Sequence, residues 1–296
     1  MTDWKKLGPV IRPDPDLWWC RTHGMLPTPE RLGGSLVRIW WGGRNDANQS
    51  HIGWSLIDLE RPDVVLETAL EPELAPGRLG TFDDNGVLPS CVIHTGSETR
   101  LYYIGFKPGG TTRMDLFGGL AIKPDGAAGF ERYSEAPIIE RCKVNPFINT
   151  APFVVKTPVG WRMYYVAGVE WVHRDLPRYN IQIASSKDGL NWQRKGRVAI
   201  DFEPGENALA RPYVWHDGEV WRMWFAAKGE AYRQKQAVSP DGLHWTRADP
   251  PGLEPGGDED SEMIEYGVVL THNGQRIAFY NGNDYGVGGV LAAVEE

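Results

Sequence analysis

An all-β fold is the expectation for this 296-residue chain, and three observations carry it. The chain holds 35 Gly, 22 Pro and 13 Trp, so turn residues and strand-favouring aromatics abound, while long helical patterns are few. The heptapeptide Ser186-Lys187-Asp188-Gly189-Leu190-Asn191-Trp192 returns as Ser239-Pro240-Asp241-Gly242-Leu243-His244-Trp245, with a looser copy at Lys123-Pro124-Asp125-Gly126 leading to Phe130. Asp-Gly between two β-rich runs signals a tight hairpin, because Gly takes φ > 0 and Asp bonds its own backbone. Finally, the segments around these turns repeat one four-strand order, and repetition at long spacing means repeat architecture.

In chain order, Leu7 to Ile11 predicts one short strand, and a proline-rich loop follows to Trp19. A first unit has strands at Leu36–Trp41, His51–Leu56 and Val64–Leu66. The second has Ser90–Ile93, Arg100–Gly105, Gly119–Ile122, the Asp125-Gly126 turn and Phe130–Arg132. The third has Pro152–Val155, Trp161–Val166, Tyr179–Ala184, its turn and Trp192–Arg194. The fourth has Pro212–Trp215, Trp221–Phe225, Gln234–Val238, its turn and Trp245–Arg247. The fifth has only Gly267–Leu270, Arg276–Tyr280 and Gly288–Ala292. Its missing strand is supplied by Leu7–Ile11, since pairing the two chain ends removes a free sheet edge. Residues 1–296 are thus expected to form a single five-bladed β-propeller domain, with a repeat of roughly 50–65 residues. A β-sandwich is the alternative, but it gives no reason for the repetition.

Charge and composition exclude other classes. The formal charge is −8 with no basic cluster, which argues against a nucleic-acid backbone as partner. No apolar run approaches the roughly 20 residues of a membrane span. The N-terminus carries no apolar signal core. Cys20, Cys91 and Cys142 are widely spaced, as expected for buried thiols in a reducing compartment, so the expected location is cytoplasmic. Nothing has metal-ligand spacing, and neither metal nor cofactor is expected.

In a propeller the innermost strands line a central channel, and the loops leading into them hold ligands. Those loops are polar here: Arg21-Thr22-His23, Phe82 to Ser90, Asn145 to Asn149, Glu206 and Asn207 with Arg211, and Asp258 to Tyr266. Acids from several blades on one axis would give the paired carboxylates that glycosidic cleavage requires, one protonated and one ionised.

The segments Phe82-Asp83-Asp84-Asn85-Gly86-Val87-Leu88-Pro89-Ser90, Tyr102-Tyr103-Ile104-Gly105, Asp260-Ser261-Glu262-Met263-Ile264 and Tyr280-Asn281-Gly282-Asn283, with the Asp-Gly-x-x-Trp turns, carry a resemblance. The chain resembles the five-bladed propeller superfamily of invertase-like and arabinanase-like glycoside hydrolases (families 32 and 43). Within it the chain looks most like uncharacterised glycosidase-like relatives encoded near polysaccharide genes. The resemblance implies three acids: an Asp on the first blade as base or nucleophile, an Asp on the second that tunes pKa or holds sugar hydroxyls, and a Glu on a later blade as general acid. Asp84, or its neighbour Asp83, matches the second position. The first blade has His23 and no Asp, the Asn-Asp-Pro-Asn motif is absent, and Asn145 and Asn149 stand where the third blade would carry an acid.

The expected catalytic carboxylates are therefore Asp84 with Glu262 or Glu206. His23, Arg44, Asp46, Asp83, Ser90, Tyr103 and Arg211 are expected to bind substrate, Arg211 through an anion. So are Asn281 and Asn283, and Glu170, Trp171 and His173 in a long loop that could act as a lid. Trp161, Trp192, Trp221 and Trp245 recur at equivalent strand positions and are packing residues first; Trp18, Trp19 and Trp171 lie in loops and are better placed to meet a sugar. The expected function is a carbohydrate-active, glycoside hydrolase-like enzyme of polysaccharide or secondary metabolism, taking a small-molecule or oligosaccharide substrate. The alternatives are transfer, lyase or cyclase chemistry on the same scaffold, motivated by the missing first-blade Asp, and a sugar-binding protein without catalysis.

Overall fold

The computed structural model describes residues 3–296, and apart from one short 3-10 turn at Asn283–Tyr285 its regular structure is all β. Strand β1 (Trp4–Ile11) comes first. It is followed by β2 (Gly24–Gly33), β3 (Leu36–Arg44), β4 (Ser50–Asp58) and β5 (Val65–Thr68), then by β6 (Gly86–His94), β7 (Glu98–Pro108), β8 (Met114–Pro124) and β9 (Glu131–Arg132). Next come β10 (Asn149–Thr157), β11 (Gly160–His173), β12 (Leu176–Ser186) and β13 (Gln193–Ile200), and β14 (Ala208–His216), β15 (Trp221–Lys228), β16 (Tyr232–Ser239) and β17 (Thr246–Ala248). The chain ends with β18 (Glu265–His272), β19 (Gln275–Asn281) and β20 (Val290–Glu295).

Within each run of four, consecutive strands pair antiparallel. Single parallel bridges join one run to the next: Ser50 to Gly86, Phe117 to Asn149 and Tyr179 to Ala208. The final sheet has the order β1-β20-β19-β18, so the N-terminal strand does complete the last unit. Unit one has a strand that sequence reasoning did not name: β2 contains Pro27 and Pro29, which remove ladder donors and disguise it.

One short pattern explains how the units stack. The second strand of units one to four reads Arg-x-aromatic-aromatic: Arg38 to Trp41, Arg100 to Tyr103, Arg162 to Tyr165 and Arg222 to Phe225. Alternation along a strand sends the two aromatics to opposite faces. The first meets an aromatic of the next unit edge-on: Trp40 with Phe130, Tyr102 with Trp192, Tyr164 with Trp245 and Trp224 with Trp4, at centroid separations of 5.4, 6.4, 5.6 and 5.8 Å. The repeated turn completes the clasp. The Tyr102 hydroxyl donates to the Gly189 carbonyl at 2.8 Å and the Tyr164 hydroxyl to that of Gly242 at 2.7 Å. Arg100 and Arg162 reach the carbonyls of Asp188 and Asp241. Gly189 and Gly242, at φ 74° and 68°, make these turns possible. The Asp188 and Asp241 carboxyls accept backbone N–H bonds inside the turn, which hold both well below the usual carboxylate range.

Unit five contacts unit one by hydrogen bonds. Asn281 donates to the Gly24 carbonyl at 2.7 Å and accepts from the Leu26 N–H at 2.8 Å, and Gly24 N–H donates to the Gly286 carbonyl at 2.9 Å. Cys20 and Cys91 are buried as expected, whereas Cys142 is only half-buried; all three are free thiols. Trp19, expected in a ligand-facing loop, is instead fully buried and packs on Trp41 at 4.7 Å. No helix is long and apolar enough to cross a membrane among the described residues.

Candidate active site

The first strand of every unit is bulged at the same place. The ladder slips between Met25 and Thr28, Pro89 and Cys91, Thr150 and Phe153, Ala210 and Tyr213, and Glu265 and Val268. A bulge bends the strand and re-aims a side chain. The residues just before Pro27, Pro89, Pro152, Pro212 and Gly267 are Leu26, Leu88, Ala151, Arg211 and Tyr266, and all five line one cavity of about 110 Å³. Four of them sit at positive φ: Leu26 at 55°, Ala151 at 49°, Arg211 at 50° and Tyr266 at 57°. Non-glycine residues avoid this region, and strain of this kind gathers at functional sites. Gly267 replaces proline in the fifth unit because its N–H donates to the Gln234 side chain at 3.1 Å, where an added Cβ would also collide.

The walls are largely apolar, with Ile104, Leu116, Ile148 and Val166 joining Leu26 and Leu88. Against them stand a few polar groups. Arg211 is 1% exposed; its Nη2 donates to the Pro27 carbonyl at 2.8 Å and to Thr28 Oγ1 at 2.9 Å, while its Nε and Nη1 have no partner. Burial lowers this guanidinium to about 10. Thr150 Oγ1 is also buried without a partner. Tyr266 and Tyr179 complete the lining, and the Tyr179 hydroxyl meets that of Tyr232 at 2.7 Å.

Beside Tyr266 lies Glu265, which is 0% exposed and has neither carboxylate oxygen hydrogen-bonded. Burial raises its carboxyl well above the ordinary value; the neighbouring Tyr266 hydroxyl and the Lys228 ammonium oppose this without cancelling it. Tyr266 is likewise pushed well above 10, by burial first and then by Glu265. Lys228 donates to the Tyr285 hydroxyl at 2.9 Å and lies over the rings of Tyr232 and Tyr285. Arg44, on which Tyr266 acts electrostatically, meets His23 Nε2 at 3.3 Å and Asn48 Oδ1 at 3.2 Å. Burial and then Arg44 lower His23 to about 4, with the Asp284 carboxylate opposing. Asp284 and Tyr285 follow one another at φ 54° and 57°.

Apart from Arg211, none of the expected site residues lines this cavity. Asp83 is fully buried and accepts from the Tyr103 hydroxyl at 2.9 Å and from Arg132 at 2.9 Å. Asp260 repeats that arrangement with Tyr280 at 2.9 Å and Lys6 at 2.7 Å, and Asn145 takes the Tyr165 hydroxyl at 2.9 Å. These are anchors: Tyr103, Tyr165 and Tyr280 each staple the loop that leads into their own unit. Glu206 is held at 2.6 and 2.9 Å by Arg247, the outer-strand counterpart of Arg132. Asp84 accepts the Gly80 N–H at 2.8 Å, with Lys107 3.9 Å away. Glu262 is exposed and shares with Glu206 a separate cleft of about 540 Å³ that also contains Glu230, Arg233 and Lys235. The structure thus brings Glu206 and Glu262 together but leaves Asp84 outside that cleft.

Asp46 pairs with Arg21 at 2.7 Å on the surface. Ser90 is buried with its hydroxyl unpartnered. Asn281 makes the tie between units five and one, and Asn283 caps the backbone of Glu262 and Met263. Glu170, Trp171 and His173 lie on β11, in a hairpin extension with β12, not in a loop; Glu170 faces Arg178 at 3.4 Å. Among the described residues no group of His, Cys, Asp and Glu is arranged to hold a metal ion. Glu265 and Tyr266 were included in the polar loop expected before the fifth inner strand, with no role assigned to either. Their alignment with Arg211-Pro212 was the available signal.

Comparison with known proteins gives first the class of fold. A solved glycoside hydrolase superposes with a TM-score of 0.78 at 19% identity, covering 99% of this chain and 91% of that one. A thermostable family-43 glycoside hydrolase superposes with a TM-score of 0.69 at 16% identity, over 92% of this chain and 88% of its own. The all-β architecture is therefore one that glycoside hydrolases use. In sequence, the chain is 38% identical over 297 aligned residues to the uncharacterized protein Rv1502 of Mycobacterium tuberculosis, with 99% of each covered. It belongs to the family of that mycobacterial protein. No family model matches it.

Proposed function

We propose that the chain is a carbohydrate-active enzyme of glycoside hydrolase type, built as a single five-bladed β-propeller closed by its N-terminal strand, with the axial cavity as its active site. Five four-stranded units, the β1–β20 pairing and five equivalent residues around one cavity support the architecture. The observation that carries the chemistry is the fully buried Glu265, its carboxyl raised well above the ordinary value, beside Tyr266.

Tyr266 lines the cavity and touches the ligand. Its hydroxyl passes a proton to the departing glycosidic oxygen, and the Glu265 proton replaces it. Water then attacks the sugar carbon, with Asp284, the exposed carboxylate next to His23, taking its proton. An acid kept neutral by burial and a solvated carboxylate have the environments that such a division of labour needs. The cavity wall itself carries no ionised carboxylate, and this favours a second reading: a non-hydrolytic enzyme or sugar-binding protein.

A panel of aryl glycosides separates the two readings, tested on wild type, Glu265→Gln and Tyr266→Phe. The hydrolytic reading expects turnover by wild type and a fall of about 10²–10⁴-fold in both variants. Unchanged turnover in the variants removes the proposed acid pair. Sugar binding with no turnover of any glycoside supports the second reading. A cytoplasmic location and a place in polysaccharide biosynthesis belong to the same proposal.

A further inference from the structure

We propose that the axial cavity is a subsite for a carboxylate carried on a sugar, with Arg211 as the residue that binds it; this rests on the carbohydrate reading of the same site. Arg211 is built into the axis with unusual care. Its backbone is strained at φ 50°, and one nitrogen is spent on holding the side chain across the axis to Pro27 and Thr28. The other two nitrogens are buried and unpartnered at a cavity wall. The groups that act on it most strongly are Cys91, Tyr213 and Tyr266, none of them an Asp or Glu. Glu265, the nearby buried acid, is acted on by Tyr266 and Lys228 instead.

A buried guanidinium without a counter-ion is costly, and leaving its donors unmade adds to that cost. A ligand anion relieves both. The apolar walls lower the local dielectric and so strengthen the pairing, while they suit the C–H surface next to a carboxyl carbon. Thr150 Oγ1, also buried and unpartnered in this cavity, offers a second hydrogen bond. At about 110 Å³ the cavity holds a carboxylate and a few carbons, leaving the sugar hydroxyls outside it. One guanidinium matches one carboxylate charge. A phosphomonoester, at about −1.5 to −2, would leave charge uncompensated.

The test is calorimetric titration of the full chain with methyl glucuronide, methyl galacturonide, the matching neutral methyl glycosides and glucose 6-phosphate. At least one uronide is expected to bind on the order of 10- to 100-fold more tightly than its neutral partner. Arg211→Met is expected to remove that preference, and Arg211→Lys to restore part of it. Should Arg211→Met not fold, Thr150→Val is the second variant, expected to weaken uronide binding several-fold and so narrow the preference for the uronide over its neutral partner. Equal binding of neutral sugars, preference for the phosphate, full uronide binding by Arg211→Met or absence of any uronide binding each overturns the proposal. Binding is read without turnover, so uronide binding with no hydrolysis sinks the enzyme reading alone. Hydrolysis of neutral glycosides only sinks this proposal alone.

Discussion

Replacing Glu265 by Gln makes the buried acid permanently neutral at almost constant shape, and the effect shows in how folding stability depends on pH. In the folded chain burial raises this carboxyl well above 4.5. Below the ordinary carboxyl value, folded and unfolded states both hold the proton and the wild type enjoys the full stability of a neutral Glu265. As pH climbs from there toward the raised folded value, the unfolded chain releases the proton while the folded chain keeps it. Stability must then fall with pH. For one group the slope is up to about 1.4 kcal/mol per pH unit. Gln cannot titrate, so any cost of its unpaired amide is constant with pH, and the other titrating groups largely cancel in the difference between proteins. Urea unfolding followed by Trp fluorescence from pH 4.5 to 7.5 measures this difference. The variant is expected to gain on the wild type steadily as pH rises. Parallel stability curves would refute the assignment of Glu265 as a proton-holding group.

Other features make further predictions. Tyr164→Phe and Tyr102→Phe each delete one hydroxyl that clasps a neighbouring turn, and each should cost about 1 kcal/mol in denaturant unfolding. Asp83→Asn leaves Arg132 without its charged partner and should cost about 3 kcal/mol, the low end for breaking a buried pair because Arg132 is partly exposed; an unchanged midpoint contradicts its role as an anchor. Trp4→Ala removes the β1 ring that meets Trp224, and should lower stability by roughly 2 kcal/mol in the same assay.

The fold was largely legible because its repeating elements are local. Asp-Gly turns announce themselves by conformational need, and the strand after each carries an aromatic for the neighbouring unit. The N-terminal strand was inferred from a missing partner and pairs with β20. Strand β2 escaped because Pro27 and Pro29 sit in a bulged inner strand, where the ladder can spare their donors.

The site was legible only in part. The positions before Pro89, Pro152, Pro212 and Gly267 could be located by register, and Arg211 was among them. What sequence could not show is which polar residues of a loop turn inward. Asp83 and Glu206 looked like site acids, yet each is bound to an arginine of its own outer strand, a contact some 41 to 49 residues away in the chain. Glu265 carries no assigned role in the polar loop expected from Asp258 to Tyr266, and only the three-dimensional packing of Tyr266, Tyr179 and Tyr232 around it reveals a buried acid.

The most direct test of the central claim is a crystal structure of the chain soaked with the tightest-binding glycoside from the titrations. Ligand density in the axial cavity, touching Tyr266 and Arg211, is the predicted result. Density in the Glu206–Glu262 cleft instead, with the axial cavity free of sugar, would contradict it.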